Sequence, residues 1–164
     1  MINHTRTLIL MRHGKSGYPP GVTDHQRPLA ERGRREAALA GQWMREEGLS
    51  VDAALCSTAT RTRQTFDRTG LTAPVIYLDE IYGGSPSDIA EVIRIHAPAD
   101  AVTLLIVGHD PGMPTTALTL DPDGDISRFP TSAYAVMRVG AAWDQVGLAP
   151  DPDAHLVGVR VPRS

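Results

Sequence analysis

The chain has 164 residues, of which 41% are hydrophobic, and a formal net charge of −3. This length suits one domain spanning residues 1–164, with a core large enough to need no disulfides, and the slightly negative charge argues against a general nucleic-acid surface. The only cysteine is Cys56, and only four apolar residues run directly into Arg12, too few for a signal peptide or a membrane span. We therefore expect a cytoplasmic protein that binds neither nucleic acids nor membranes.

Short apolar runs alternate with helical patterns over the first 120 residues. The run at residues 8–11 ends in Arg12-His13-Gly14, which is typical of a buried strand followed by a turn. Similar runs predict strands at residues 51–56, 74–78 and 102–107. Helices are predicted at residues 31–47, from 57–58 to about 69, from 85–86 onwards, and from 110–111 to about 120, with Ser57-Thr58 and Asp110 expected as caps.

This alternation predicts an α/β fold, a three-layer sandwich whose mostly parallel central sheet carries helices on both faces. Residues 133–139 and 156–161 predict two late strands, which we expect to pair antiparallel at one edge of the sheet. Between the fourth predicted helix and these strands, residues 121–130 predict a polar loop.

Polar side chains follow each of the four predicted parallel strands: Arg12-His13, Ser57 with Arg61, Asp79-Glu80, and His109. Because parallel strands end at one edge of a sheet, we expect these groups to share a rim. An arginine can bind phosphate with two hydrogen bonds, a histidine can accept a phosphoryl group, and helix N-termini attract phosphate. The rim therefore predicts phosphoryl chemistry, although the first tripeptide alone is better explained by a solvated arginine and a hydrogen-bonded histidine.

Three motifs carry a family resemblance: Leu-Met-Arg-His-Gly-Lys-Ser at residues 10–16, Ser-Thr-Ala-Thr-Arg-Thr-Arg-Gln-Thr at 57–65, and Val-Gly-His-Asp-Pro-Gly at 107–112. Together they resemble the histidine phosphatase superfamily, which includes the cofactor-dependent phosphoglycerate mutases. The short chain, Pro28-Leu29 before Glu31-Arg32-Gly33, and the late segment at residues 129–133 are most similar to the SixA branch of protein phosphohistidine phosphatases. The resemblance implies a phosphoglycerate mutase-like fold and a phosphohydrolase that works through a phosphohistidine intermediate.

The resemblance also implies a role for each matching residue. His13 is the expected nucleophile, Arg12 and Arg61 the expected ligands of the phosphoryl oxygens, and His109 a hydrogen-bond donor to the same group. We add Ser57 as a candidate phosphate-binding residue. Independently of the family, nearby arginine charges disfavour protonation of a histidine, which would keep His13 neutral and able to attack.

The proton donor to the leaving group is less well defined. The segment Leu-Asp-Glu-Ile at residues 78–81 is similar to a Leu-x-Glu-Ile pattern of the family, which favours Glu80 as the catalytic acid. Asp79 and Asp110 are the alternatives. Arg63 is expected to face away from Arg61 because two residues on a helix do not share a face, and Lys15 and Ser16 are equally consistent with substrate contacts or with solvation. No cluster of metal-ligand type is evident, so neither metal nor cofactor is expected.

The spacing between motifs bears on the substrate. Between Glu80 and His109 the chain has room for only a loop, one helix and one strand, whereas the resemblance implies that mutases and larger phosphatases of the family carry covering insertions here. An uncovered site suits a phosphohistidine on a protein; the alternative is a small phosphate monoester. A second alternative is a non-catalytic phosphate-binding module, which the joint presence of nucleophile, both arginines and second histidine disfavours.

Overall fold

The structure is a computed structural model and describes residues 5–163. In this part of the chain there are six strands: β1 (Arg6–Arg12), β2 (Ala53–Ser57), β3 (Val75–Leu78), β4 (Thr103–Gly108), β5 (Tyr134–Val139) and β6 (His155–Arg160). The α-helices are α1 (Glu31–Glu46), α2 (Thr60–Thr69), α3 (Pro86–His96) and α4 (Gly112–Leu120). Single 3-10 turns lie at residues 24–26, 79–81 and 143–145.

All six strands belong to one sheet in the order β3-β2-β4-β1-β5-β6. The first four strands pair in parallel, whereas β5 runs antiparallel to β1 and β6 antiparallel to β5. The predicted α/β fold with a mostly parallel sheet and a late antiparallel pair is therefore confirmed. Because β1 and β4 are the central neighbours, their carboxyl ends lie side by side.

The sheet separates two hydrophobic cores, because successive side chains of a strand point to opposite faces. Leu8 and Leu10 of β1 belong to the core that α3 and α4 cover, through residues such as Ile93 and Met113. Ile9 and Met11 belong to the other core, with Ala40 and Met44 of α1 and Phe66 of α2. Helices thus lie on both faces, which gives the predicted three layers.

Two predicted helix caps are wrong. Ser57 remains the last residue of β2, its Oγ accepts a hydrogen bond from the Ala59 backbone N–H at 3.2 Å, and α2 begins only at Thr60. The Ser57 hydroxyl therefore accepts a hydrogen bond from a backbone N–H of the turn before α2 rather than from one within the helix. Likewise Pro111, not Asp110, occupies the capping position of α4, so Asp110 stays in the loop.

Two other predicted helix ends are confirmed. Ser85 caps α3 through a reciprocal pair of hydrogen bonds with Asp88, with Pro86 at the first helical position. Gly70 ends α2 with a φ of 72°, which a residue without a Cβ adopts readily. No helix among residues 5–163 is long and apolar enough to cross a membrane.

Candidate active site

His13 and His109 stand next to each other because they follow the two central parallel strands. The His13 backbone N–H donates to the carbonyl oxygen of Gly108 at 3.0 Å, which extends the pairing of β1 and β4 by one residue. The two imidazole rings lie with their centroids 5.3 Å apart at an interplanar angle of 60°. His13 is only 7% exposed, so its ring sits in a buried part of the rim.

The turn that carries His13 packs backbone against backbone on the start of α1. A Cβ on Gly33 would lie 2.1 Å from the carbonyl oxygen of Lys15, and a Cβ on Gly14 would lie 2.9 Å from the carbonyl oxygen of Gly33. The Gly14 backbone N–H also donates to Thr65 Oγ1 at 2.9 Å. Glycine at both positions lets this turn approach α1 closely, and the contacts fix the backbone on either side of the histidine.

The hydrogen bonds of His13 define which ring nitrogen can react. Its Nδ1 lies 2.7 Å from the carbonyl oxygen of Gly14, and because a carbonyl only accepts, Nδ1 carries the hydrogen and Nε2 carries the lone pair. Burial lowers the pKa of His13 from 6.5 to about 3, and the positive charges of Arg61 and Arg12 act in the same direction. At neutral pH the ring is therefore uncharged and nucleophilic at Nε2.

Arg61 points its guanidinium at that nitrogen from the first turn of α2. Its Nε lies 3.3 Å from His13 Nε2, and its side chain is only 6% exposed. Arg12 comes from the end of β1 and donates through Nη1 to the carbonyl oxygen of Phe129 at 3.1 Å. The Nε of Arg12 is buried and has no hydrogen-bond partner within residues 5–163. A buried guanidinium N–H without a partner is a costly group that a bound anion would satisfy.

Ser57 contacts His109. Its Oγ lies 2.8 Å from His109 Nε2, so the structure places the predicted phosphate ligand against the second histidine of the site. Burial lowers the pKa of His109 from 6.5 to about 4, with the charge of Arg61 as the next cause. Both histidines of the rim are therefore neutral at pH 7.

The structure adds two residues that the sequence did not single out. Asp24, in the 3-10 turn after β1, accepts hydrogen bonds from both terminal nitrogens of Arg61, through its backbone oxygen at 2.6 Å and its Oδ2 at 3.1 Å. The Tyr82 hydroxyl donates to the same Oδ2 at 2.5 Å, and the Tyr82 ring lies edge-on to His109 at 5.4 Å. Neither residue belongs to a periodic pattern or follows a strand directly, so no sequence signal marked them.

The candidate acids lie at the margin of this cluster. Glu80 is exposed, and no hydrogen bond or ion pair joins its carboxylate to another group in the part of the chain that the structure describes. Asp79 accepts a hydrogen bond from Thr58 Oγ1 at 2.5 Å, and Asp110 is exposed in the loop before α4. The hydrogen bond from Tyr82 and the charge of Arg61 hold the pKa of Asp24 well below its usual range, so Asp24 is ionised and is no proton donor at neutral pH.

Of three further predicted positions, two make contacts within the protein and the third is exposed. Arg63 stacks over the Tyr77 ring at 4.0 Å whereas Arg61 faces His13, so the two side chains take different directions as their spacing predicted. Ser16 is buried and accepts a hydrogen bond from Arg27 Nη1 at 2.7 Å, whereas Lys15 is exposed. Among residues 5–163 no group of three or more His, Cys, Asp or Glu side chains could hold a metal ion.

Comparison with known proteins agrees with this geometry. The profile of the histidine phosphatase superfamily (branch 1) matches residues 8–82. An uncharacterised Mycobacterium tuberculosis protein, Rv1276c, is 46% identical over 163 residues, which cover 93% of this chain and 100% of that protein. The chain belongs to the histidine phosphatase superfamily.

Solved structures of this superfamily extend the likeness over the whole fold. A structure provisionally named phosphohistidine phosphatase SixA, from Nakamurella multipartitia, is 41% identical with a TM-score of 0.86 and covers 96% of each chain. A similarly named structure from Agrobacterium tumefaciens is 27% identical, has a TM-score of 0.77 and covers 96% of this chain and 99% of that one. The predicted SixA resemblance and the phosphoglycerate mutase-like fold are confirmed, and the protein is a phosphatase of the histidine phosphatase type.

Proposed function

We propose that this histidine phosphatase removes the phosphoryl group from phosphohistidine on another protein, by way of a phosphohistidine on its own His13. The observation that carries the proposal is the state of His13: buried, uncharged, fixed by the Gly14 carbonyl oxygen, and with its Nε2 lone pair facing Arg61. Residues 1–164 are proposed to form a single histidine phosphatase domain.

The proposed reaction has two transfers. In the first, His13 Nε2 attacks the phosphorus atom, the bond from phosphorus to the substrate nitrogen breaks, and the leaving imidazole takes up a proton. In the second, water attacks the phosphorus on His13 and gives a proton back to the catalytic acid; the bond from phosphorus to Nε2 breaks, its electron pair returns to Nε2, and inorganic phosphate leaves. Both transition states carry negative charge spread over the three equatorial oxygens, so fixed positive groups lower both barriers.

The remaining residues are proposed to stabilise the charge on the phosphoryl oxygens or to protonate the leaving nitrogen. Arg12 and Arg61 bind the phosphoryl oxygens, and the Arg12 Nε, which has no hydrogen-bond partner within residues 5–163, supports this role. His109 donates to the same group, and Ser57 acts on the phosphate through its contact with His109. Glu80 is proposed as the donor to the leaving nitrogen; its exposed carboxylate would approach only with substrate bound, which is common for catalytic acids.

A protein substrate is favoured by the short connection between β3 and β4 and by the relatives named SixA. Residues 79–102 contain only one 3-10 turn and α3 as regular elements, so no long insertion covers the rim. A cavity of about 240 Å³ opens beside His109, lined by residues of the two loops at 81–86 and 109–112. Its volume suits one side chain next to the phosphorylated residue rather than a large cofactor.

One observation favours a small phosphate monoester as the second candidate. Asp24, His25 and Tyr82 meet over Arg61 and His109, and the His25 and Tyr82 rings lie 4.9 Å apart. This partial cover, which the sequence did not predict, would hold a compact substrate more closely than a fully uncovered rim.

The test compares a phosphohistidine peptide with p-nitrophenyl phosphate, both in EDTA. We expect metal-free hydrolysis of both, a higher kcat/KM for the peptide, and no turnover by His13→Ala. A higher kcat/KM for the ester would assign the enzyme to small phosphates. Tight oxyanion binding by a wild-type protein that turns over neither substrate would identify a binding module instead.

A further inference from the structure

Arg61 is held from two directions. Its Nε faces His13 Nε2 at 3.3 Å, while Nη1 and Nη2 both donate to Asp24, at 2.6 Å to the backbone oxygen and 3.1 Å to Oδ2. A guanidinium carries five N–H groups in one plane, and these contacts use three of them. The two N–H groups that these contacts leave unused, one on each terminal nitrogen, stay available to the oxygens of a phosphoryl group.

Asp24 is itself fixed by one group from another loop and by one from its own loop. Its Oδ2 accepts from the Tyr82 hydroxyl at 2.5 Å, and its Oδ1 accepts from Arg27 Nε at 3.1 Å. Tyr82 also sets its ring edge against His109 at 5.4 Å. The hydrogen bonds of Asp24 to Tyr82 and Arg61 thus connect the loop after β1 with the loop after β3 and with the start of α2.

The exposures of the two charged partners differ in a way that suggests their roles. The Arg61 side chain is 6% exposed, whereas the Asp24 side chain is 57% exposed and lies at the mouth of the rim. A buried arginine needs a hydrogen-bonded anionic partner to offset its desolvation, and because the guanidinium is a rigid planar fork, two acceptors on its terminal nitrogens fix its plane. The carboxylate therefore contacts Arg61 from the outside and leaves the buried side facing His13.

We propose that Asp24 is a positioning residue for the phosphatase reaction, which holds the Arg61 guanidinium in the plane that directs Nε to His13 Nε2, with Tyr82 holding Asp24. The inference rests on the proposed function only in taking Arg61 as a ligand of the phosphoryl group. Asp24 does not touch the reacting atoms, so all of its effect passes through Arg61.

The first test replaces Asp24 and measures both turnover and oxyanion binding. We expect Asp24→Ala to lower kcat on p-nitrophenyl phosphate about 100-fold, because a displacement of about 1 Å in a catalytic group costs that much, and to weaken tungstate binding. Asp24→Asn, which keeps a carbonyl acceptor, should lose less, and Tyr82→Phe less again. Asp100→Asn is the matched control: Asp100 is exposed and precedes the start of β4, at the far end of that strand from His109.

The second test is a double-mutant cycle with Arg61→Ala. If Asp24 acts through Arg61, Asp24→Ala adds no further loss in the Arg61→Ala background. Losses that multiply would show that Asp24 acts independently. Faster turnover or tighter tungstate binding in Asp24→Ala would show that the carboxylate competes with the substrate, which also overturns the proposal. Thermal unfolding of each variant separates these outcomes from a loss of folded protein.

Failure of this inference is distinguishable from failure of the proposed function. A wild-type enzyme that hydrolyses p-nitrophenyl phosphate but not phosphohistidine loses its proposed substrate, yet the Asp24 cycle remains decisive on the ester. Without any turnover, the cycle is measured on tungstate affinity alone. A wild-type protein that binds no tungstate would contradict the premise that Arg61 serves an anion.

Discussion

The catalytic rim and the groove beside β6 differ in which charged side chains they contain and in how those side chains are hydrogen-bonded. The groove between residues 121–128 and β6 is the larger space, about 700 Å³, and three aspartates line it: Asp121, Asp123 and Asp125. The carboxylate of Asp121 accepts hydrogen bonds from the backbone N–H groups of Asp123 at 3.2 Å and Leu156 at 2.8 Å. The cavity beside His109 is smaller, about 240 Å³, yet the rim holds the buried His13, the half-buried His109, both neutral, and a buried Arg12 Nε without a partner among residues 5–163.

This difference separates a structural polar cluster from a reactive one. In the groove, the hydrogen-bonding capacity of Asp121 is used to tie the loop to β6. In the rim, the capacity of Arg12 and Arg61 is only partly used, and burial shifts the pKa of both histidines far from the ordinary value. Shifted histidine pKa values and arginine N–H groups that are only partly used, rather than cavity size, therefore indicate where the chemistry takes place.

The largest expected contrast between the regions is in their arginines. Arg12→Ala or Arg61→Ala should each lower kcat/KM about 100- to 1,000-fold, the usual loss when one preorganised donor to a developing oxyanion is removed. Arg128→Ala, in the groove, should change kcat/KM less than twofold, since Arg128 is exposed and lines the other cavity. Steady-state kinetics on p-nitrophenyl phosphate measure all three. Equal losses in rim and groove would remove the distinction.

The role of Glu80 as proton donor to the leaving group is the next property of the rim to test. Glu80→Gln should lower turnover of the phosphohistidine peptide about 100-fold, the low end for loss of a catalytic acid. Turnover of p-nitrophenyl phosphate should change little, because nitrophenolate leaves without a proton. Asp79→Asn and Asp110→Asn are the matched comparisons. A peptide-specific loss in one of them instead would transfer the role to that residue.

Backbone crowding also distinguishes the two regions. Gly33→Ala should destabilise the protein by about 1–3 kcal/mol, because overpacking against fixed groups costs this much, and its Cβ would lie 2.1 Å from the Lys15 carbonyl oxygen. Gly158→Ala in β6 should be near neutral, since no atom lies within 4 Å of its Cβ position. Urea midpoints measure both changes. A stable, fully active Gly33→Ala would show that the turn below His13 is not rigid.

The last expected effect, which requires no substitution in the rim, is on stability against pH. The folded pKa values of His13 and His109, about 3 and about 4, lie below the ordinary value of 6.5. The unfolded chain therefore binds protons first, and stability is full above pH 6.5 and falls as the pH drops through that value. At pH 5 each histidine should cost about 2 kcal/mol relative to pH 7. His109→Gln should remove its share of that slope in urea unfolding, and an unchanged slope would contradict the burial argument.

Local patterns predicted the sheet and the principal site residues. The residues of β4 are mostly apolar, so the sequence alone predicts this strand, and all of them are buried. His13, Arg61 and His109 lie one to four positions after the ends of such strands. The contact between Asp24 and Arg61 spans 37 positions in the chain and depends on how the aperiodic loop after β1 packs on the start of α2. The capping errors at Ser57 and Asp110 have a related cause, since a cap depends on which backbone N–H a side chain faces.

Trapping the phosphoenzyme shows directly whether His13 is the nucleophile. Brief reaction of the protein with a labelled phosphohistidine peptide, followed by a denaturing quench, should give an acid-labile, base-stable label on the wild type. His155→Ala, which changes an exposed histidine of the β6 groove, should carry the same label, and His13→Ala should carry none. A label that survives in His13→Ala, or turnover by the wild type with no labelled enzyme at any time point, would contradict His13 as the nucleophile.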